Sequence, residues 1–207
     1  HAEDMEDVLR RTKPDVLVDF TNADAAVENI RIAVKNKIAL VVGTTGFSEG
    51  QMREIKGTIG KNVAAVISPN FSVGVNVFWN LVKETEKYLQ GYDVEIIEAH
   101  HRGKKDAPSG TAMQAAKLVA EGRKTKMTFG RHGTVPRGDE IRIHSVRAGD
   151  IVGEHTIIYA GDGERIELIH RAHSRQAFAS GAMRAIRYVV SAQKGIHTMD
   201  DVLRELK

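Results

Sequence analysis

The stretch DVLVDFTNADAAVENIRIAVKNKIALVVGTTGF, residues 15–47, decides the fold. It contains two short, nearly continuous apolar runs, Asp15–Phe20 and Ile38–Val42, joined by a segment whose apolar residues recur at helical spacing. Continuous apolar runs are typical of strands buried on both faces of a sheet. A third such run, Val63–Ile67, follows a second helical segment. This alternation predicts an α/β chain with a right-handed, doubly wound parallel sheet of the Rossmann-like type.

The pattern changes after Val73, where a second domain is predicted to begin. A long amphipathic helix leads there to a strand at 94–100, and a helix follows near 111–121. A basic loop comes next, and after it three strand-like segments, at 141–147, 151–160 and 164–171. These strands predict an α+β domain with an antiparallel or mixed sheet. We therefore expect a dinucleotide-binding domain at 1–71 and 175–207, and a substrate-binding and oligomerisation domain at 72–174.

Composition narrows the class of protein. The chain has 207 residues, a formal net charge of +3, interspersed acidic and basic residues, and no cysteine. No apolar run is long enough to span a bilayer and no leader pattern opens the chain, so we expect a cytoplasmic protein without a membrane partner. With 5% aromatic residues, nucleic-acid binding is disfavoured. The histidines show no familiar metal-ligand spacing, so no metal site is predicted.

Two short motifs follow predicted parallel strands, at the sheet edge where ligands of such folds bind. Gly43, Thr44 and Thr45 follow the second strand; the glycine would let a cofactor approach the backbone, and the hydroxyls could hold the cofactor's phosphate or amide. Plain turn chemistry explains this motif equally well. Ser68, Pro69, Asn70 and Phe71 occupy the same place after the third strand. There Asn70 is predicted either to bind a ligand or to cap the next helix.

The segment HHRGKKDAPSGTA, residues 100–112, concentrates positive charge before a predicted helix. A helix N-terminus favours an anion, and Lys104 lies a few residues upstream of it. His100, at a strand end, suits acid–base chemistry near neutral pH. A carboxylate could dock at this helix start, and Lys104 and Arg102 could hold the same carboxylate or a second one. Residue types alone fit a solvated basic loop with a helix cap at least as well.

The order and wording of these motifs resemble the dihydrodipicolinate reductases. The resemblance is carried by GTTGF, SPNFSVGVN, EAHHRGKKDAPSGTA and HRAHSRQAFASGA, and it runs from about Asp15 to the end of the chain. It implies an oxidoreductase of the diaminopimelate route of lysine biosynthesis. In that family NADPH or NADH delivers hydride to a cyclic unsaturated imine dicarboxylate, 4-hydroxy-tetrahydrodipicolinate, and tetrahydrodipicolinate is formed.

The resemblance also assigns roles to residues by position. It implies that His100 is the catalytic histidine, that Lys104 donates a proton, and that His101, Gly110 and Thr111 contact the substrate. The cofactor contacts it implies are Gly43, Thr44, Thr45, Ser68, Pro69, Asn70, Phe71 and Arg175, with Phe178 nearby. The small-molecule dicarboxylate is thus the expected partner, within a homotetramer assembled through the sheets of the second domain.

One part of the family pattern is expected before residue 1. It comprises a first strand, a glycine-rich phosphate turn and a second strand with its ribose-reading residues. Because those residues choose between NADH and NADPH, the choice is not predicted. The alternative hypothesis is a truncated, non-catalytic module that binds an acidic ligand or RNA.

Overall fold

The structure is a computed structural model that describes residues 4–205. The sequence also predicts a helix end at 2–11 and a short last helix at 199–207; residues 2–3 and 206–207 of these segments lie outside the described residues. The chain divides into two compact units. Unit 1 runs to Val73 and resumes at Phe178, and unit 2 spans Gly74–Ala177.

Helices and strands alternate through much of the described chain. The helices are α1 (Met5–Thr12), α2 (Ala23–Lys35), α3 (Glu49–Ile59), α4 (Val73–Glu86), α5 (Gly110–Arg123), α6 (Gln176–Ser191) and α7 (Met199–Arg204). The strands are β1 (Val16–Asp19), β2 (Ala39–Val42), β3 (Ala64–Ile67), β4 (Asp93–His100), β5 (Met127–Phe129), β6 (Ile141–Arg147), β7 (Gly153–Gly161), β8 (Glu164–Ala172) and β9 (Gly195–His197).

The sheet of unit 1 has the order β1-β2-β3-β9, and every pair is parallel. Leu40 and Ala65 pack in one apolar cluster with α2 and α3, while Val41 and Val66 pack in another with α6 and α7. Neighbouring residues of β2 thus bury opposite faces, as continuous apolar runs require. The predicted doubly wound parallel sheet is confirmed.

The sheet of unit 2 has the order β5-β6-β4-β7-β8. β4 runs parallel to β6 and antiparallel to β7, so the sheet is mixed, as the predicted fold class states. Trp79 and Val82 of α4 and Val119 of α5 pack against Ile96 and Ile157 of this sheet. The two helices therefore cover the face of the sheet toward which alternate residues of β4 point.

Three details differ from the sequence prediction. β5 lies within the segment predicted as a basic loop, and β9 was not predicted, because three-residue strands are too short to show a period. The long amphipathic helix ends at Glu86, although apolar spacing extended it to Leu89. Arg123 Nη2 donates to the carbonyl of Leu89 at 2.6 Å, so a side chain satisfies the backbone beyond the helix end.

Candidate active site

Glu98 is the centre of a hydrogen-bonded cluster in unit 2. Glu98 and His100 lie two residues apart on β4, so both point to the buried face of the sheet. The Glu98 carboxylate lies 2.6 Å from His100 Nδ1 and accepts from the backbone N–H of Ser109 at 3.1 Å. It also accepts from Nη1 and Nη2 of Arg147, each at 2.8 Å. One carboxylate therefore joins β4, β6 and the start of α5.

The environment of Glu98 keeps it ionised. Its side chain is fully buried. Burial by itself would raise the pKa of the carboxyl, but hydrogen bonds from His100 and Arg147 outweigh that effect and hold the pKa well below its ordinary value. A buried charge of this kind requires such partners, because an unpaired carboxylate is costly in the interior.

The charged loop after β4 is tied to this cluster. Lys104 Nζ lies 2.8 Å from the carboxylate of Asp106, and the Lys104 backbone N–H donates to the carbonyl of His101 at 3.1 Å. Arg147 also donates to the backbone carbonyl of Asp106. A continuous series of contacts thus runs from Lys104 through Asp106 and Arg147 to Glu98. Lys104 is therefore ion-paired within this cluster, whereas Arg102 and Lys105 of the same loop are exposed.

The start of α5 lies beside the same carboxylate. Ser109 is the N-cap, and its hydroxyl accepts from the N–H of Ala112 at 3.2 Å. A side chain built on Gly110 would meet nothing within 4 Å, so the approach to the helix N-terminus is open there. The backbone of Thr111 is held by a hydrogen bond, because Trp79 Nε1 donates to the Thr111 carbonyl at 3.1 Å. The helix end is therefore rigid and accessible, which suits an anion.

Two further histidines belong to this region: His155, which sequence reasoning missed, and His170, the first residue of the HRAHSRQAFASGA motif. His155 Nε2 lies 3.0 Å from the Ser109 hydroxyl, and the His155 ring meets the His100 ring edge-on, with centroids 5.2 Å apart. Burial lowers the pKa of His155 to about 3, with His100 and His170 as further causes, so this ring is neutral. Burial also lowers the pKa of His170. Only the inward alternation of β7 marks His155 in the sequence.

The predicted cofactor turn in unit 1 is organised by a second buried carboxylate, which sequence reasoning also missed. Asp19, at the end of β1, accepts from the Thr44 hydroxyl at 2.5 Å and from Asn29 Nδ2 at 2.6 Å. Burial opposes ionisation of Asp19, but hydrogen bonds from Asn29 and Thr44 outweigh it and lower the pKa. The Thr44 hydroxyl is thus buried and hydrogen-bonded to Asp19, whereas the Thr45 side chain is exposed.

The remaining predicted cofactor residues lie around the ends of the same strands. Phe71 is buried and meets the Phe20 ring edge-on, with centroids 5.6 Å apart. The Phe20 ring packs so closely on Gly43 that a Cβ there would lie 2.0 Å from it. The Ser68 hydroxyl donates to the carbonyl of Asn70 at 2.7 Å.

Asn70 and its neighbours form a tight turn. Its side-chain oxygen accepts from the N–H of Ser72 at 2.9 Å, two residues on, which is an Asx turn at the approach to α4. The Asn70 side chain therefore bonds the backbone just before α4 begins. Pro69 lies within the same turn.

The predicted residues thus fall into two groups. Unit 2 brings together His100, His101, Lys104, Gly110 and Thr111, and unit 1 brings together Gly43–Thr45 and Ser68–Phe71. Arg175 lies exposed directly before α6, where the chain returns toward unit 1, and Phe178 lies in the first turn of α6.

Within residues 4–205, no three acidic or histidine side chains are arranged to hold a metal ion. None of the helices in this range is long and apolar enough to cross a membrane.

Unit 1 has a parallel sheet with glycine- and threonine-containing turns at its strand ends. Unit 2 presents a histidine, a lysine and an open helix N-terminus. Together these features are typical of nicotinamide-dependent oxidoreductases with a separate substrate unit. Comparison with known proteins identifies the family. Residues 1–71 match the family described as "Dihydrodipicolinate reductase, N-terminus", and residues 74–203 match its C-terminal counterpart.

Individual relatives agree with this match. A 4-hydroxy-tetrahydrodipicolinate reductase of Methanococcoides burtonii is 56% identical over 202 residues, covering 97% of this chain and 77% of the relative. Its counterpart in Methanocaldococcus jannaschii is 55% identical over 207 residues, covering 98% and 76%. A dipicolinate-bound dihydrodipicolinate reductase from Paenisporosarcina sp. TG-14 superposes with a TM-score of 0.79 at 31% identity, covering 94% of this chain and 76% of that chain.

The chain belongs to the dihydrodipicolinate reductase family. The predicted family, the predicted fold class and the prediction of a reductase are confirmed. The alternative of a non-catalytic ligand- or RNA-binding module is not favoured. The roles predicted for individual site residues stay predictions.

Proposed function

We propose that this chain uses NADPH or NADH to reduce 4-hydroxy-tetrahydrodipicolinate to tetrahydrodipicolinate, in the diaminopimelate route of lysine biosynthesis. The observation that carries the proposal is the cluster around Glu98, which holds His100, the Lys104 loop and the start of α5 in one place. Replacing the 4-hydroxyl by hydrogen consumes one hydride and one proton and releases water. The chain must therefore bind a dicarboxylate and deliver a proton to it.

The two carboxylates of the substrate fit two features of unit 2. The open N-terminus of α5 at Gly110 and Thr111 offers backbone N–H groups and the positive end of the helix dipole to one of them. The Lys104 ammonium, 22% exposed, can meet the other. His101 precedes the turn that carries Lys104. The dipicolinate held by the Paenisporosarcina relative is a planar dicarboxylate of this kind.

Unit 1 fits the nucleotide. Its parallel strands end at Asp19, Val42 and Ile67, and ligands of such sheets bind beyond these carboxyl ends. Thr44 is bonded to Asp19, so its role is to fix the turn, while the backbone of Gly43 and the exposed Thr45 hydroxyl are left to contact the nucleotide. When bound, the nucleotide supplies the hydride.

We also propose how the chain divides between nucleotide and substrate, and which further residues contact the nucleotide. We assign residues 1–71 and 175–207 to the nucleotide and residues 72–174 to the substrate and to assembly. Ser68–Phe71, which follows β3, and Arg175, which precedes α6, are further proposed contacts of the nucleotide.

Lys104 and His100 divide the remaining chemistry. Loss of water from the 4-hydroxyl position gives a conjugated imine, and addition of the hydride to it leaves electron density that one proton must neutralise. Lys104 Nζ, whose charge holds the adjacent carboxylate before that transfer, can supply the proton. His100 lies on the rigid end of β4 and orients the substrate or relays protons. Loss of His100 should therefore lower turnover more than substrate binding.

Steady-state kinetics of His100→Gln and Lys104→Ala in the full-length enzyme test the proposal. Each variant should lose at least roughly a hundredfold in turnover, since positioned acid–base groups contribute ~10²–10⁴-fold. The double variant should fall well short of the product of both losses, because residues that act as a unit are not additive. His132→Gln, at an exposed histidine outside the cluster, is the control. No turnover in the folded parent protein, or near-normal turnover in either single variant, contradicts the proposal.

We further propose a cytoplasmic homotetramer assembled through the sheet of unit 2. Ile97, Val146 and Ile169 support this, because they point away from the buried face of the sheet and are 37%, 43% and 45% exposed. Light scattering should give four times the chain mass of 22.8 kDa. Ile97→Lys should shift that mass toward smaller species, and a monomeric parent protein would contradict the assembly.

A further inference from the structure

The two ring nitrogens of His100 have different surroundings. Nδ1 lies 2.6 Å from Glu98 Oε2. Nε2 has no hydrogen-bond partner among the described residues, and it lies 3.0 Å from the position that a Cβ on Gly153 would occupy. The glycine at the start of β7 thus leaves room beside Nε2. With 9% of its surface exposed, His100 is held in place yet still reached from outside.

The state of Glu98 decides which nitrogen carries hydrogen. Arg147 donates two hydrogen bonds to the carboxylate and Ser109 a third, and an ionised carboxylate can only accept. The short contact with His100 must therefore be donated by Nδ1–H. A neutral His100 then presents Nε2 as an acceptor, and a protonated His100 presents Nε2–H as a donor.

We propose that Glu98, itself fixed by Arg147, is a positioning residue that holds a hydrogen on Nδ1 of His100 and so leaves Nε2 as the nitrogen that meets the substrate. The kinetic part of this inference rests on the proposed function. Both oxygens of the buried Glu98 carboxylate are engaged by His100, Ser109 and Arg147, so we assign Glu98 no direct contact with the substrate. It acts through the orientation and tautomer of the ring, as second-layer carboxylates do for other functional histidines.

The same strand supplies a matched control. The Glu95 carboxylate of β4 lies 2.7 Å from His144 Nε2 and 3.3 Å from Arg137 Nε, so it too joins a histidine and an arginine. Its side chain is 28% exposed, and its partners belong to no proposed contact with substrate or nucleotide. Glu95→Gln therefore makes the same chemical change on the same strand, outside the site.

Nitrogen-15 NMR of the His100 ring tests the tautomer without reference to activity. In the parent protein at a pH where the ring is neutral, Nδ1 should carry the hydrogen and Nε2 should be bare. In Glu98→Gln, Arg147 Nη2 and the Ser109 N–H should keep the amide oxygen at the Oε1 position, which places the NH₂ group at the Oε2 position facing His100 Nδ1, so the hydrogen should move to Nε2. Glu95→Gln should leave the His100 tautomer unchanged. An Nε2–H tautomer in the parent protein overturns the proposal, even if Glu98→Gln fails to fold.

Kinetics separate positioning from a merely structural role. Glu98→Gln should lower kcat roughly ten- to a hundredfold with KM within about threefold, whereas Glu95→Gln should keep both near normal. A rise in KM at unchanged kcat overturns the positioning role. If the parent protein shows no turnover, the proposed function fails, while the tautomer measurement still decides the state of His100.

Discussion

Lys104 Nζ lies 2.8 Å from the carboxylate of Asp106, so the cation proposed to meet the substrate is already ion-paired in the protein. The ammonium holds the pKa of Asp106 below its ordinary value, with burial as a weaker opposing effect. Asp106 is 61% exposed, and an exposed pair of this kind contributes only ~0–1 kcal/mol. A substrate carboxylate can therefore displace Asp106 from Lys104 at little cost.

Removing that competitor should strengthen dicarboxylate binding. We expect Asp106→Asn to lower the Kd of pyridine-2,6-dicarboxylate by roughly two- to fivefold at low salt, because the lysine no longer has to leave an ion pair. Calorimetry measures the change. Asp162→Asn makes the same charge change at an exposed position in the β7–β8 turn, and it should have little effect. Weaker binding in Asp106→Asn would mean that Asp106 positions Lys104 instead of competing for it.

Substitution of two adjacent threonines, Thr44 and Thr45, should have very different effects on the free energy of unfolding. Thr44→Val removes a hydrogen-bond donor from the buried Asp19 carboxylate, and the free energy of unfolding should fall by ~1–3 kcal/mol. Thr45→Val alters an exposed side chain and should change it by less than about 0.5 kcal/mol. Urea unfolding followed by circular dichroism compares them. Equal effects of the two substitutions would show that the Asp19–Thr44 bond does not stabilise the turn.

His155 should make the protein less stable in mild acid. Its pKa falls from 6.5 to about 3 in the folded protein, so below pH 6.5 the unfolded chain binds a proton that the folded chain does not. The stability from a neutral His155 is therefore complete above about pH 6.5 and is lost as the pH falls toward 3.

Urea unfolding at pH 7.5 and pH 5.5 measures this effect. Between these values the parent protein should lose about 1 kcal/mol more than His155→Gln, which keeps a polar partner for Ser109. His132→Gln, at an exposed histidine, should retain the parent pH dependence. An identical pH dependence in His155→Gln and the parent would contradict the low pKa of His155.

The sequence predicts the elements well where the apolar period is long. The first three of the four parallel strands in unit 1 carry nearly continuous apolar runs, and VEIIEAH is apolar at most of its positions; the structure has strands at all four places. β5 and β9 offer only three residues each, which is less than the pattern needs.

From the sequence, only those site residues that lie close together along the chain could be predicted to share a site. His100 and Lys104 share one motif, so their proximity is visible in the sequence. Arg147 and His155 reach the same place through β6 and β7, and only the pairing of these strands with β4 brings them there. Asp19 likewise meets Thr44 across 25 residues. Such contacts depend on sheet register, which local spacing does not contain.

We propose that unit 2 binds a dicarboxylate through Lys104 and the start of α5, and calorimetry with pyridine-2,6-dicarboxylate at low salt measures this binding. The parent protein should bind this ligand, and Lys104→Ala should weaken binding at least about tenfold, since a charge-assisted contact contributes ~1.5–3 kcal/mol. Lys105→Ala, which removes the neighbouring exposed lysine, should bind nearly as the parent does. No binding by the folded parent protein, or equal binding by Lys104→Ala, would contradict the claim.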